Sequence, residues 1–359
     1  MEENRETIQM LDLIVRPAFC VEAGVVTRVN QAAQQRMVLP GAAIRDMLST
    51  GIDEYAEFTS GCLYLSLKIA EQVCGASVTK MDGYDVFILE QAEENGELQA
   101  MALAARELRE PLSTIMTVAD RLFPQVSEAD GTQEQIARIN RGLFQMLRVV
   151  SNMSDAARYA GTRSSYQEIR EIKTVMAEIF QSAGVRIGQA GIRLNFTNLT
   201  EQIYCLIDFE KLERAVYNIL SNAAKFTPKD GTIDAKFFRK GKKLYLTVQD
   251  SGSGIPANLQ GSVYSRYVRE PALEDSRYGI GLGMVLIRSA ATIHGGTVLM
   301  EHPEGCGTRI TMTMEIRQDQ SGTLRSPLLR VDYAGERDHC LIELADCLPS
   351  RLYEKEKIN

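Results

Sequence analysis

The chain has 359 residues, 45% of them hydrophobic and 24% charged, which gives two or three domains a core each and excludes a disordered tail. Its 40 basic and 47 acidic residues leave a net charge of −7, so no global basic field draws it to nucleic acid or anionic lipid. The cysteines (Cys20, Cys62, Cys74, Cys205, Cys306, Cys340, Cys347) are odd in number and lack a C-x-x-C pair, no apolar run is long enough to span a bilayer, and Arg5 in an acidic amino terminus does not begin a signal peptide, so a cytoplasmic protein with reduced thiols is expected.

Residues 5–15 are an amphipathic helix candidate ended by Pro17. AFCVEAGVVTRVN then gives two strand patterns around a Glu-Ala-Gly turn, followed by polar helical QAAQQRMV and a Pro40-Gly41 break. Three further strand patterns are GCLYLSLKIA, CGASVTKM and YDVFILEQ, with Asp82-Gly83 as the tight turn before the last. Two strands, short helices and three strands in this order resemble a PAS domain, and Asn30 stands where PAS sequences often carry Asn. Nothing here resembles the Cys-containing flavin motif or a haem-ligating His, so a dimerising fold with a filled core and a small-molecule sensor are both open.

From Gln91 the texture changes to helix formers and charge. Leu98, Met101, Ala105, Leu108, Leu112, Ile115, Ala119 and Leu122 alternate spacings of three and four, a heptad seam. After the turn Glu128-Ala129-Asp130-Gly131, a second seam runs through Ile136, Ile139, Leu143, Met146, Val150, Met153 and Ala157. One copy cannot bury both seams of such a hairpin, so a homodimer forming a four-helix bundle is expected.

Beyond a link at Arg163 to Tyr166, the pattern reads strand, long helix, strand, and YCLIDFEKLER leads into a further helix with Asp208 as N-cap candidate. That helix turns Leu212, Ala215, Val216, Ile219, Leu220 and Ala223 into a core. Asn218, Asn222 and Lys225 share another face, where carboxamide oxygens suit Mg²⁺ and the ammonium suits phosphate. TIDAKFFRK and KLYLTVQD form a hairpin around Lys240-Gly241 and end in DSGSGIP, and a second glycine run, YGIGLGM, opens the helix GMVLIRSAATIHGG. Strands TVLMEHP and GTRITMTMEI close the unit. There is no G-x-x-x-x-G-K-[ST], and no acidic residue lies where a Rossmann fingerprint needs one.

The order of asparagine helix, Asp-Gly-x-Gly, aromatic and Arg segment and Gly-x-Gly-x-Gly resembles the ATP-binding domain of sensor histidine kinases, part of the wider GHKL nucleotide-binding group. The resemblance implies a multidomain α+β protein: PAS-like domain over 1–92, two-helix dimerisation hairpin over 93–163, GHKL/Bergerat α/β sandwich over 164–317, a mixed sheet with helices on one face, and an extension over 318–359. It implies ATP or ADP with Mg as cofactors, Asn222 holding the Mg through the nucleotide. Asp250, a charged acceptor, suits the adenine amino group where guanine shows a carbonyl. Gly252 and Gly254 let backbone approach the base, while Gly279, Gly281 and Gly283 precede a helix whose first amides can hold phosphate. Arg266 and Arg269 are implied near the phosphates, with Tyr264 and Tyr267 in aromatic positions. Asn218, Lys225, Phe226, Ile255, Leu282 and Thr308 complete the implied pocket; Thr308 ends the family's last glycine box, Gly305-Cys306-Gly307-Thr308.

The departure lies on the hairpin. Where the family carries His-Glu-x-x-x-Pro-Leu, residues 106–112 read RELREPL, so Arg106 replaces the phosphoacceptor and Glu107 stands as a possible base. A guanidinium stays protonated and offers no lone pair to a γ-phosphorus. His294, structural in the family, His302 and His339 all lie off the hairpin. Glu110 replaces the Thr or Asn that positions water for phosphatase activity, and a surface pair between Arg106 and Glu110 along the helix is expected. Two functions follow: a nucleotide-binding module that signals by contacts with a receiver-domain protein or second kinase, or a kinase acting on a His or other side chain of a separate chain. ATP hydrolysis for mechanical work fits less well, because GHKL ATPases place a water-activating Glu where this chain has Asn218. In the extension, Ile342, Leu344 and Leu348 suggest a short packed helix whose job the residues do not reveal.

Overall fold

The computed structural model describes residues 11, 14–90, 94–123, 132–161, 167–254, 282–303, 307–318 and 337–354. The helix expected over residues 5–15 falls almost wholly outside these.

Strands β1 (Ala18–Glu22) and β2 (Val25–Val29) pair around Ala23 and Gly24, both at positive φ, and short helices α1 (Gln31–Gln35), α2 (Ile44–Met47) and α3 (Ile52–Glu57) lead to β3 (Cys62–Ile69), β4 (Gln72–Met81) and β5 (Tyr84–Leu89). These five strands are antiparallel in the order β2-β1-β5-β4-β3, over a core that includes Phe19, Leu65 and Phe87. Asn30 is buried and saturated: its Oδ1 accepts from the amides of Ala18 (3.0 Å) and Ala33 (2.9 Å), and its Nδ2 donates to the carbonyls of Ile14 and Arg16. It therefore caps α1 and ties down the incoming chain.

The hairpin is α4 (Glu94–Leu122) and α5 (Thr132–Gly161). Each expected seam divides in two. Ala105, Leu112 and Ala119 are buried, as are Leu143 and Val150, whereas Leu108, Ile115 and Leu122 are about half exposed, with Ile139 and Met146 alongside. Alternate heptad positions thus close the hairpin within one chain, and the remainder form an outward apolar stripe. The side chains of Leu98 and Ala157 lie outside the described set.

The second half contains β6 (Glu168–Glu171), α6 (Ile172–Gln189), β7 (Arg193–Asn198), β8 (Tyr204–Ile207), α7 (Phe209–Phe226), β9 (Thr232–Lys240), β10 (Lys243–Asp250), α8 (Leu282–Ile293), β11 (Val298–Glu301) and β12 (Arg309–Glu315). Its sheet runs β11-β12-β10-β9-β7, antiparallel except for the parallel β7–β9 pair, with α6, α7 and α8 packed on it, as the mixed-sheet expectation required. Asp208 accepts from the Lys211 amide as the N-cap of α7. One feature was not expected. The two sheets are one, because Cys62, Leu63 and Tyr64 of β3 pair antiparallel with Met300, Leu299 and Val298 of β11, covering part of each edge. The short packed helix expected in the extension is present: α9 (His339–Glu343) and the 3₁₀ turn Ser350–Tyr353 bury Leu341, Ile342, Leu344, Leu348 and Tyr353 in the same core as α5 and α7.

Candidate nucleotide site

Strand β10 delivers Asp250 to the end of the sheet, where the side chain is nearly buried. Its Oδ1 accepts from the amides of Gly252 (2.8 Å) and Thr308 (3.1 Å). Burial pushes this carboxyl above the usual carboxylate range, and the two amides work the other way by stabilising its charge. Glycine is required around it. A Cβ at Gly307 would collide with Asp250 Oδ1, one at Gly252 with the carbonyl of Phe226, and Gly254 has φ +73°. Asp250, Gly252, Gly254, Phe226 and Thr308 therefore do come together, and the turn geometry explains why those residue types stand there.

At the other end, Gly283 lies in the first turn of α8 against α7, and a Cβ on it would lie 2.9 Å from Asn218 Oδ1. Here the expectation of an open polar face is corrected. Asn218 is 1% exposed. Its Nδ2 donates to the Arg214 carbonyl (2.8 Å), and its Oδ1 accepts from Arg148 Nη2 of α5 (3.2 Å). Asn222 is only part-buried, and Lys225 Nζ lies 2.7 Å from Asp346 Oδ2 of the carboxy-terminal segment. Burial and the Arg148 charge lower the Lys225 pKa, and Asp346 opposes them. Leu282 packs with Ala156, Val285 and Leu286 against the hairpin. Ile255, Arg266, Arg269, Gly279 and Gly281 lie outside the described residues.

Between α5, α7 and α9 runs a buried charge network that sequence reasoning missed. Arg214, fully buried, pairs with Asp155, donates through Nη2 to Asn152 (2.6 Å) and through Nε to Glu343 (3.1 Å). Arg148 joins Glu343 (3.5 Å) and Asp346 (2.5 Å). Apolar periodicity carries no signal for it, since these charges are buried only because three segments meet.

On the hairpin, Arg106, Glu107 and Glu110 are exposed. The expected Arg106–Glu110 pair is absent among the described residues; both side chains line an open groove along α4 with Arg109, Thr114 and Arg121. His294 is structural: Nδ1 donates to the Ala290 carbonyl (2.7 Å) and Nε2 accepts from the Asp208 amide (3.0 Å). Cys20, Cys62, Cys74, Cys205, Cys340 and Cys347 are free thiols. No described helix is long and apolar enough to cross a membrane.

A strand-ending Asp buttressed by glycines, opposite an asparagine helix on a mixed sheet, is the arrangement of a known domain. Residues 207–318 match the family described as histidine kinase-, DNA gyrase B-, and HSP90-like ATPase. The matched residues thus form a domain of this ATPase family, and the relatives that the chain resembles are sensor histidine kinases. The chain is similar to an uncharacterised sensor-like histidine kinase of Rhizobium meliloti, 29% identical over 65% of this chain and 45% of that protein. It is also similar to hybrid signal transduction histidine kinase D of Dictyostelium discoideum, 26% identical over 64% of this chain and 15% of that protein. The matched region thus spans less than half the length of either relative. In fold it resembles full-length ShkA, solved in complex with AMPPNP, with a TM-score of 0.51 at 18% identity over 62% of this chain and 46% of that one.

Proposed function

We propose that the chain is a signalling protein that binds a Mg–adenine nucleotide and does not phosphorylate its own hairpin. The observation that carries the nucleotide half is the Asp250 carboxylate at the end of β10, with one oxygen fixed by the Gly252 and Thr308 amides. An exocyclic amino group is the partner such an acceptor selects, in a charge-assisted bond of about 1.5–3 kcal/mol. The donor set fits the group at the other end as well, since Asn222 and Lys225 suit a metal-bound phosphate. The nucleotide would supply a transferable phosphoryl group; this chain would bind and orient it. ShkA's complex with AMPPNP accords with such a ligand.

The second half rests on Arg106, exposed at the acceptor position of α4 and without nucleophilic nitrogen. Residues 1–92 serve as a PAS-like sensor, and the hairpin over 93–163 pairs two copies through its outward stripe. The alternative is a kinase acting on a side chain of another protein, with Glu107 as base. Titration with a fluorescent adenine nucleotide, with guanine nucleotide as competitor, tests the reading. Binding that weakens at least tenfold in Asp250→Asn and resists guanine is expected, and undetectable affinity at millimolar ligand would end it.

A further inference from the structure

The carboxy-terminal segment enters the site just described. Its backbone is fixed to the hairpin: Arg141 of α5 donates to the carbonyls of Ala345 (3.1 Å) and Asp346 (3.0 Å), and Asn140 donates to that of Tyr353 (3.0 Å). Its side chains are fixed too, with the Tyr353 ring edge-on to Phe144 and the Tyr353 hydroxyl donating to Leu341 (2.7 Å). This framework presents one carboxylate, Asp346 Oδ2, to two cations at once, Lys225 Nζ at 2.7 Å and Arg148 Nη1 at 2.5 Å. The same Arg148 reaches Asn218. Burial disfavours the Asp346 charge, yet Arg148 and Lys225 hold the carboxyl below its ordinary range.

An anionic oxygen bridging a lysine and an arginine beside two asparagines is the environment a nucleotide phosphate would seek. We propose that Asp346 is an internal competitor for the phosphate end of the site: it occupies Lys225 and Arg148 while the segment is docked, and a nucleotide phosphate takes them only by displacing it. The proposal rests on the nucleotide reading of α7 and adds its regulation. Two anions cannot share Lys225 without repulsion, so nucleotide affinity and docking of residues 338–353 oppose each other, and the coupling is reciprocal. Because that segment also bridges α5 and α7, its release would loosen the nucleotide domain on the hairpin, leaving the direct contacts of Arg214 with Asp155 and Asn152. Nucleotide and docked tail thus specify two arrangements of the same chain.

The test uses the full chain. Asp346→Asn keeps the shape of the side chain and its place in the core while removing the competing charge. Titration with the fluorescent adenine nucleotide should show binding about tenfold tighter in Asp346→Asn than in wild type, and Asp250→Asn added to it should abolish the gain. Hydrogen exchange of residues 338–353 in wild type should accelerate on adding nucleotide. Equal or weaker binding by Asp346→Asn, or exchange unmoved at saturating nucleotide, overturns the competition and leaves the nucleotide site standing. No binding by wild type or Asp346→Asn overturns both.

Discussion

Arg288 of α8 places Nη1 3.0 Å from the carboxylate of Glu90, just past β5, and lays its guanidinium over the Tyr64 ring of β3 at 4.9 Å. A cation from the nucleotide-binding half is thereby held by an acid and an aromatic of the amino-terminal half, next to the strand pair β3–β11 that makes the two sheets continuous. Lys243 and Glu54, 2.7 Å apart and mostly buried, bridge the same junction, with the more exposed Lys240–Glu57 pair at 2.6 Å. The amino-terminal sheet and the nucleotide domain are therefore joined by a shared strand pair and by three ion pairs.

The junction depends on Gly61, at φ +93°, where an added Cβ would collide with the carbonyl of Met300. Gly61→Ala should destabilise the protein by about 1–3 kcal/mol, combining backbone strain with loss of close packing. Hydrogen exchange should localise the effect to 62–64 and 298–300. Unchanged protection in both strands would show that the sheets do not depend on this contact.

His294 predicts a pH dependence. A carbonyl on one ring nitrogen and an amide N–H on the other fix the neutral tautomer with the proton on Nδ1, and protonating Nε2 would set donor against donor. Burial lowers its pKa below the ordinary 6.5, the Ala290 carbonyl only partly opposing. Since the folded value lies below the unfolded one, the folded state is at no disadvantage above pH 6.5 and loses stability as pH falls from there toward the folded pKa. The urea midpoint should fall below pH 6.5 in wild type, and His294→Gln, which cannot take the proton, should lose that part of the slope while costing about 1–2 kcal/mol at neutral pH. Parallel slopes for both proteins would remove His294 as the origin.

The apolar seams illustrate what could be read from the residues and what could not. Spacings of three and four located both helices, and the Asp208 cap, the Lys240-Gly241 turn and the glycines around Asp250 were legible because each is a local rule of backbone geometry. Periodicity could not divide Leu112 from Leu108, since facing inward within one chain or outward to another is a matter of helix rotation, not composition. Nor could it find Arg148, Arg214 and Asp346, distant in sequence and joined only by tertiary packing. The β3–β11 pairing was invisible for a related reason: an edge strand carries no mark of the partner it will meet.

The outward stripe of Leu108, Ile115 and Leu122 on α4, with Ile139 and Met146 on α5, should be covered by a second copy. Leu108→Asp with Ile115→Asp places charges without partners in that contact and should give monomers by light scattering, while leaving the intrachain face of Ala105, Leu112 and Ala119 intact. A monomeric wild type at protein concentrations on the order of tens of micromolar, where obligate interfaces remain closed, would count against the four-helix bundle.

The last prediction concerns Arg106. Incubation of wild type with labelled ATP should leave no acid-labile phosphate, because the guanidinium is no nucleophile and His294 is buried with both ring nitrogens engaged. Arg106→His restores an imidazole beside Glu107 on an exposed turn of α4. Labelling of that variant is expected to be weak, because Glu110 adds negative charge near the incoming γ-phosphate and the Asp346 contacts hold the nucleotide domain on α5. Glu110→Thr on top should raise the signal, and Asp346→Asn should raise it again if release of the segment lets the domain reach α4. Labelling of wild type at any hairpin residue would sink the reading of a chain that cannot phosphorylate itself. Silence from the combined variant, with nucleotide binding retained, would instead show that this domain no longer delivers its phosphoryl group, and would favour signalling by nucleotide-dependent contacts over a kinase acting on another chain.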